Sequence, residues 1–365
     1  MKKMRIFAEV LEQAARDQFE DAMAQPFAVQ GALMPDAHTG YSLPIGAVVA
    51  TDGVVVPAWV GYDIGCGMCS VPTTFSLEQV VASSQELFAD IYRCVPVGFA
   101  HSNKDSAWEC SHLPHSSMLG GLFNSGARRQ IGTLGGGNHF IEIGRDEANV
   151  VWITVHSGSR GFGWNVARNY MALASGDGKP REGHFGFPVG SENGLTYIDD
   201  LAFCLAFALE NRRKIVSTVA EVLARVLGDG YAIWDQLINR NHNHAELKDG
   251  LWIHRKGATH AEAGMLGVIP GNMRDGSFIV RGLGNPDSLF SSSHGAGRVL
   301  GRKAAQRSLS VEQFEGTMRG IVAKVDAETL DESPFAYKDI FDVMRQQSEL
   351  VEVLHHVRPL INIKG

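Results

Sequence analysis

Residues 61–68 read Gly61-Tyr62-Asp63-Ile64-Gly65-Cys66-Gly67-Met68, a glycine-rich turn on which a carboxylate and a thiol stand three positions apart. At that spacing both side chains can reach one metal ion, and a thiolate can bridge two. A cysteine beside glycine is more often a small core residue, so the pair takes its meaning from what surrounds it. Upstream, the stretch 28–71 is punctuated by Gly and Pro, and Ala47-Val-Val-Ala50 and Gly53-Val-Val-Val56 read as buried strands. Further strands are expected over 139–143, 149–155, 250–254 and 277–281, and helices over 5–24, 77–93, 164–175, 196–228 and 310–325. There is no internal repeat, low-complexity tract or linker. The polar run Ser175-Gly-Asp-Gly-Lys-Pro-Arg-Glu-Gly-His184 comes closest to a flexible loop. Interleaved strands and helices imply an α/β chain, of mixed α+β type, folded as one catalytic domain over residues 1–365.

The chain has 365 residues, 44% of them hydrophobic, enough for a substantial core. Its 41 glycines exceed the roughly 7% of average usage and cluster beside His, Asn and Ser, as a loop-built site requires where backbone must approach a ligand. Acidic residues follow the basic start too soon for a secretion signal, and no apolar run reaches the roughly 18 residues of a membrane helix, so a soluble, cytoplasmic protein with no membrane partner is expected. Five cysteines point to reduced thiols and a metal ligand rather than disulfides. A net charge of −7 excludes a generally basic nucleic-acid binder. Any RNA contact must be local, at points such as Arg128, Arg129, Arg160, Arg255, Lys256, Arg298, Arg302 and Lys303.

The other chemistry-bearing residues lie in similar short islands. Gly135-Gly-Gly-Asn-His-Phe-Ile-Glu142, Thr154-Val-His-Ser-Gly-Ser-Arg-Gly161 and Asn241-His-Asn-His-Ala-Glu246 supply His139, His156, His242 and His244. Mixed Asp, Cys and His donors suit Zn, Mn or Fe alike. In Ser291-Ser-Ser-His-Gly-Ala-Gly-Arg298, small neighbours leave the His294 imidazole open to a bulky group, and Arg298 suits phosphate. A neutral imidazole is a competent nucleophile toward phosphorus. Cys66-Gly-Met-Cys69 lacks the second pair of a structural zinc site, His260-Ala-Glu262 lacks the P-C-x-x-C of a deaminase, and no P-loop or K-x-D-G ligase motif occurs.

Taken in order, these islands resemble the RtcB family of RNA-splicing and RNA-repair ligases. The likeness runs from Met34-Pro-Asp-Ala-His-Thr-Gly40 through Gly61–Met68, Gly132-Thr-Leu-Gly-Gly-Gly-Asn-His-Phe140, His156-Ser-Gly-Ser-Arg-Gly161, His254-Arg-Lys-Gly-Ala-Thr259 and His294-Gly-Ala-Gly-Arg298 to Ile363-Lys-Gly365. The resemblance implies a compact fold with central β-sheets flanked by helices around a dinuclear metal cleft. Asp63, Cys66, His139, His156 and His242 would hold two Mn²⁺ ions, with Zn²⁺ or Co²⁺ as alternatives, and the Cys66 thiolate would lie between the two. His294 would accept GMP from GTP. The nucleotide pocket would comprise Asn138, His139, Phe140, Ile141, Glu142, His242, Asn243, Pro270, Gly271, Asn272, Met273, Ser277, His294, Gly295, Ala296, Gly297 and Lys364. Arg128, Arg129, Arg160 and Arg298 would contact RNA. The reaction implied joins an RNA 3′-phosphate or 2′,3′-cyclic phosphate to a 5′-hydroxyl, on tRNA or rRNA with broken ends.

Two features depart from the family pattern: Asn272 and Arg274 stand where Ser and Gly are usual, and the chain is short between Val95 and Gly132. The first bears on the local nucleotide contacts, and the second suggests a compact bacterial branch directed to RNA repair. The competing readings are a metal-dependent cyclic phosphodiesterase or phosphatase, which would need no nucleotide-accepting imidazole, and an RNA-end-binding factor that no longer ligates.

Overall fold

The strand-forming runs assemble into two large sheets, described over residues 2–365 in a computed structural model. One has five strands in the order Lys3–Ile6, Ala28–His38, Ile45–Thr51, Leu251–Lys256 and Asn243–Lys248. The other follows the path Leu266–Pro270, Ser277–Gly282, Val351–Lys364, Phe140–Arg145, Val151–Ser157, Gly67–Pro72 and Ile238–Asn241, with Val322–Ala323 pairing parallel to Val351–Lys364. Its two edges return toward each other, Arg240 Nε donating to the Leu266 carbonyl at 3.2 Å, so the sheet curls almost closed.

Alternation along the second sheet separates its core from its site. Ile141, Ile143, Ile153 and Val155 join Ile215, Val219 and Leu223 of the 36-residue helix Glu192–Leu227 in one apolar cluster, while Phe140 and Glu142 face the other way into a cleft. That helix starts on the Ser191 side chain, which accepts from Gly194 N–H at 3.1 Å. Helix Arg160–Ser175 packs beside it through Phe162, Val166 and Tyr170.

Several expected elements differ. The helix expected over 5–24 begins only at Gln13; Lys3–Ile6 instead adds a parallel strand beside Gln30–Leu33. The helix expected over 77–93 is two, Leu77–Ala82 and Ser84–Cys94, parted at Ser83. The helix expected over 310–325 ends at Thr317, because Gly320 takes a left-handed φ of 84° and turns the chain back toward the C-terminal strand. No helix among the described residues is long and apolar enough to cross a membrane.

Candidate active site

Four neighbouring strands carry the expected metal ligands to one end of the curled sheet. Gly67–Pro72 lies between Val151–Ser157 and Ile238–Asn241, its register setting Met68 opposite His156 and Gly67 opposite Asn241, and Phe140 pairs with His156 on the far side. Cys66, His139 and His242 therefore stand at strand ends beside His156. The Cys66 carbonyl accepts from His242 N–H at 2.7 Å, fixing that junction. The turn carrying Asp63 needs glycine at position 65, where φ is 72° and a Cβ would come within 2.8 Å of the Ala208 methyl on the long helix.

The donor atoms converge. Cys66 Sγ is 3.4 Å from His139 Nε2 and 3.2 Å from His156 Nε2. His156 Nε2 is 3.3 Å from His242 Nε2, and Asp63 Oδ2 is 3.0 Å from His139 Nε2. His139 Nδ1 meets the Leu134 carbonyl at 3.0 Å and His156 Nδ1 the Asn138 carbonyl at 3.1 Å. The Asn138 carbonyl takes the His156 Nδ1 proton, so the His156 Nε2 lone pair faces the thiol. Burial, then neighbouring imidazoles, hold His156 and His242 well below the usual histidine range, leaving them neutral. Burial raises Asp63, but its hydrogen bond to His139 and the His139 and Arg160 charges outweigh that and bring its carboxyl to about 2. Asp63 Oδ1 is buried with no partner. A soft sulfur, three imidazole nitrogens and an unsatisfied carboxylate oxygen fit a first-row divalent metal.

A second group of metal-type side chains, His244, Glu246 and His260, has a different arrangement. The fully buried Arg255 guanidinium already lies within it, 3.0 Å from His244 Nε2 and paired with Glu246. A cation of the protein occupies the place an ion would take.

Adjoining the first cluster is a cavity of about 310 Å³. Of the residues expected around a nucleotide, Asn138, Phe140, Glu142, Pro270, Gly271, Asn272, Met273, Lys364 and the run His294 to Gly297 line it. Ile141 does not, since strand alternation turns it into the core. Asn243 also stands apart, its carboxamide linking Gly257 N–H to the Asp63 carbonyl. Ser277 acts indirectly: it donates to Glu142 Oε1 at 3.2 Å, as Asn362 does to Oε2 at 3.2 Å. Burial raises the Glu142 carboxyl to about 7 against those two donors and Lys364. The Asn272 carboxamide is spent on its own turn, bonding Arg274 N–H, Asp275 N–H and the Asp275 carboxylate, while Arg274 pairs with Asp275.

Residues that the sequence did not place in the nucleotide pocket complete the site. Asp36, fully buried, accepts from His294 Nδ1 at 2.6 Å, His294 N–H at 3.1 Å and Gly295 N–H at 3.3 Å. A register shift between Leu33 and His38 lifts Asp36 off its ladder toward His294. His38, Arg302, Tyr337 and Asn362 also line the cavity. The only sequence signal for Asp36 was its place in the Pro35-Asp-Ala-His38 island.

The four arginines expected on RNA divide. Arg128 stacks on Phe123 and donates to the Ser106 and Trp108 carbonyls, and Arg129 pairs with Asp105 at 3.6 Å, both outside the cavity lining. Arg160 Nη1 lies 3.3 Å from His139 Nδ1. Arg298 lines the cavity, but its donors go to Glu332, Tyr337 and the Leu300 and Asp331 carbonyls.

Glu332 is the anionic hub of this wall, binding Arg298, Arg302, Tyr337 and, at 2.9 Å, Lys364 Nζ. Burial raises its carboxyl, but the Lys364 and Arg302 charges outweigh that and hold it near about 2, below its ordinary 4.5. A depressed carboxyl gives stability that is present above 4.5 and lost as pH falls toward 2. Lys364→Met is therefore expected to cost about 1.5–3 kcal/mol at neutral pH, the scale of a lost hydrogen bond to a charged group. It should also flatten the acid limb of a stability-versus-pH curve. Denaturant unfolding between pH 2 and 7 tests this, and an unchanged curve would place Lys364 outside the hub.

Comparison with known proteins completes the description. A family model described as tRNA-splicing ligase RtcB matches residues 18–119 and 122–365. The chain is 35% identical to RNA-splicing ligase RtcB of Escherichia coli (strain K12), over 97% of this chain and 95% of the relative. It is 29% identical to tRNA-splicing ligase RtcB of Pyrobaculum aerophilum and 30% identical to that of Aeropyrum pernix, in each case over 91% of this chain and 87% of the relative.

Proposed function

The chain belongs to the RtcB family of tRNA-splicing ligases, and from that premise we propose that its cleft seals RNA ends with GTP through a GMP-carrying His294. RNA ligation in splicing or repair is the activity that membership supports. The observation that carries the finer reading is the Asp36–His294 pair: a buried carboxylate 2.6 Å from Nδ1 fixes the tautomer that leaves Nε2 with its lone pair. A passive RNA-end binder would have no use for an imidazole oriented in this way at a cavity wall.

Asp63, Cys66, His139, His156 and His242 would hold the divalent metal, two Mn²⁺ ions in the family pattern. When bound, the metal neutralises phosphate charge and makes water available as hydroxide near neutrality. In the first step His294 Nε2 forms a bond to the α-phosphorus of GTP and pyrophosphate leaves. Asp36 steadies the cationic ring that results, as a carboxylate orients imidazole in hydrolase triads. An oxygen of the RNA 3′-phosphate then takes the GMP and the P–N bond breaks. Finally the 5′-hydroxyl attacks the activated 3′-phosphate, loses its proton, and GMP departs. A 2′,3′-cyclic phosphate must first be opened by water to the 3′-phosphate. Glu142, ionised, would accept from the N1–H and amino group of guanine, whereas adenine offers an acceptor at N1. Backbone amides of Ala296 and Gly297 would take phosphate.

Incubation of the full chain with α-labelled GTP and Mn²⁺, followed by a denaturing gel, tests the reading. A protein-bound, acid-labile label is expected. Absence of label with Mn²⁺, Zn²⁺ and Co²⁺ alike, from folded protein, would refute it. Asp36→Asn is expected to slow label uptake by about 10²–10⁴-fold with metal content unchanged, since it removes the anion that supports the imidazolium. Label uptake at the wild-type rate would make Asp36 a structural residue only.

A further inference from the structure

We propose that Phe99 is a stacking platform for an unpaired base of the RNA strand entering the cleft, an assignment that rests on the reading of the cleft as an RNA-sealing site. Phe99 is completely exposed, at 103% of its reference surface, and so forgoes the burial that stabilises other aromatic rings of this chain. It is held there by a rigid turn. Leu134 N–H donates to the Pro96 carbonyl at 2.9 Å, Gly98 N–H to the Gly135 carbonyl at 2.8 Å, and Ala100 N–H to the Val97 carbonyl at 3.1 Å. The left-handed φ of 60° at Gly98 sets the ring at the tip. The turn is thus fastened to the glycine run that leads into Asn138 and His139.

That run is the lip of the cavity. Gly136, Gly137 and Asn138 are exposed, and Asn138 lines the cavity. A methyl on Gly136 would lie 3.8 Å from Gly98 Cα, and one on Gly137 would lie 3.1 Å from Arg302 Nη2. From Gly136 to Asn138 the chain spans at most about 7 Å, so the turn stands a few nucleotide steps or less from the reacting phosphate. A strand crossing the lip meets an aromatic face on one side and, on the other, the half-exposed Arg302 guanidinium, whose Nη1 is paired with Asp331 and Glu332 and whose Nη2 faces the lip. Aromatic and cationic groups are the means by which proteins hold single-stranded nucleic acid without reading its sequence. Gly98 and Ala100 flank the ring in the chain and add no second large apolar side chain beside it. A protein partner needs a broader patch, whereas a single base needs no more.

The test is fluorescence anisotropy of a labelled single-stranded RNA bearing a 3′-phosphate, titrated with the full chain and Mn²⁺. Phe99→Ala is expected to weaken binding about tenfold, equivalent to about 1.4 kcal/mol. Phe99→Trp should restore it, with its indole fluorescence quenched by the RNA. Label uptake from GTP should be unchanged in both. An RNA abasic near its 3′ end should bind the wild type as weakly as intact RNA binds Phe99→Ala. A wild type that binds and seals RNA while Phe99→Ala binds it equally well would overturn the stacking role alone. A wild type that neither binds nor seals RNA ends would overturn the reading of the cleft.

Discussion

His294→Ala is expected to abolish the covalent GMP adduct, a loss of more than about 10⁴-fold in label uptake, the scale seen when an enzyme loses its nucleophile. The ring is only 15% exposed, its Nδ1 is committed to Asp36 and its centroid lies 4.8 Å from that of the His242 ring in an edge-on pair, so a nucleotide on this wall meets Nε2. The one other imidazole on the same wall outside the ligand cluster is His38. Its Nδ1 rests on the Asp36 backbone carbonyl at 2.9 Å and not on a carboxylate, and burial holds the ring below the usual histidine range, which disfavours a cation forming on it. Folding should survive, because the Asp36 carboxylate keeps the two backbone N–H groups of His294 and Gly295. Metal content should survive as well, since His294 is not among the converging donors. RNA already carrying GMP on its 3′-phosphate should still be sealed, because only the first step is lost. Retention of an acid-labile adduct on His294→Ala would overturn the assignment, and peptide mapping would locate the true acceptor.

The parts of this site that were legible in sequence are those whose chemistry is local. Cys66, His139 and His242 each sit beside glycine or asparagine at a strand end, and His156 stands two residues before Gly158, where a short motif reports both residue type and backbone freedom. Asp36 was visible only as a letter in an island. Its function depends on a register shift that aims it at a residue 258 positions away, and no spacing rule carries that information. Glu332, Tyr337 and Asn362 come from segments with no glycine punctuation and act through charges that meet only in the fold. The C-terminal strand Val351–Lys364 escaped for a different reason. It pairs with Ser277–Gly282 along its first half and Phe140–Arg145 along its second, with irregularities between Ile279 and Val280 and around Pro359. Its alternation therefore changes phase midway and matches no single period. Ile141 was placed in the pocket by contiguity with its motif, although a period of two sends it to the opposite face.

Cys66→Ala is expected to be the most damaging change to the metal cluster. Its sulfur is 3.4 Å from one imidazole nitrogen and 3.2 Å from another, and the third histidine joins through His156, so the thiolate is the donor that two ions would share. Each histidine would serve one ion, and losing one would leave the other ion its sulfur. Burial, then the Asp63 charge, pushes the Cys66 thiol well above its ordinary range, so the metal-free chain carries it protonated. A nearby dication reverses that preference, and metal uptake should release the proton. Metal analysis of Cys66→Ala should show loss of both ions, with label uptake from GTP falling to background. The fold should hold, since the change removes one small buried atom and opens little cavity. Cys66→Ser separates packing from ligation: it fills the space yet offers no thiolate, and should fail as Cys66→Ala does. If Cys66→Ala retained two ions per chain and took up label normally, Cys66 would be a core thiol, and the converging imidazoles would need another bridging donor.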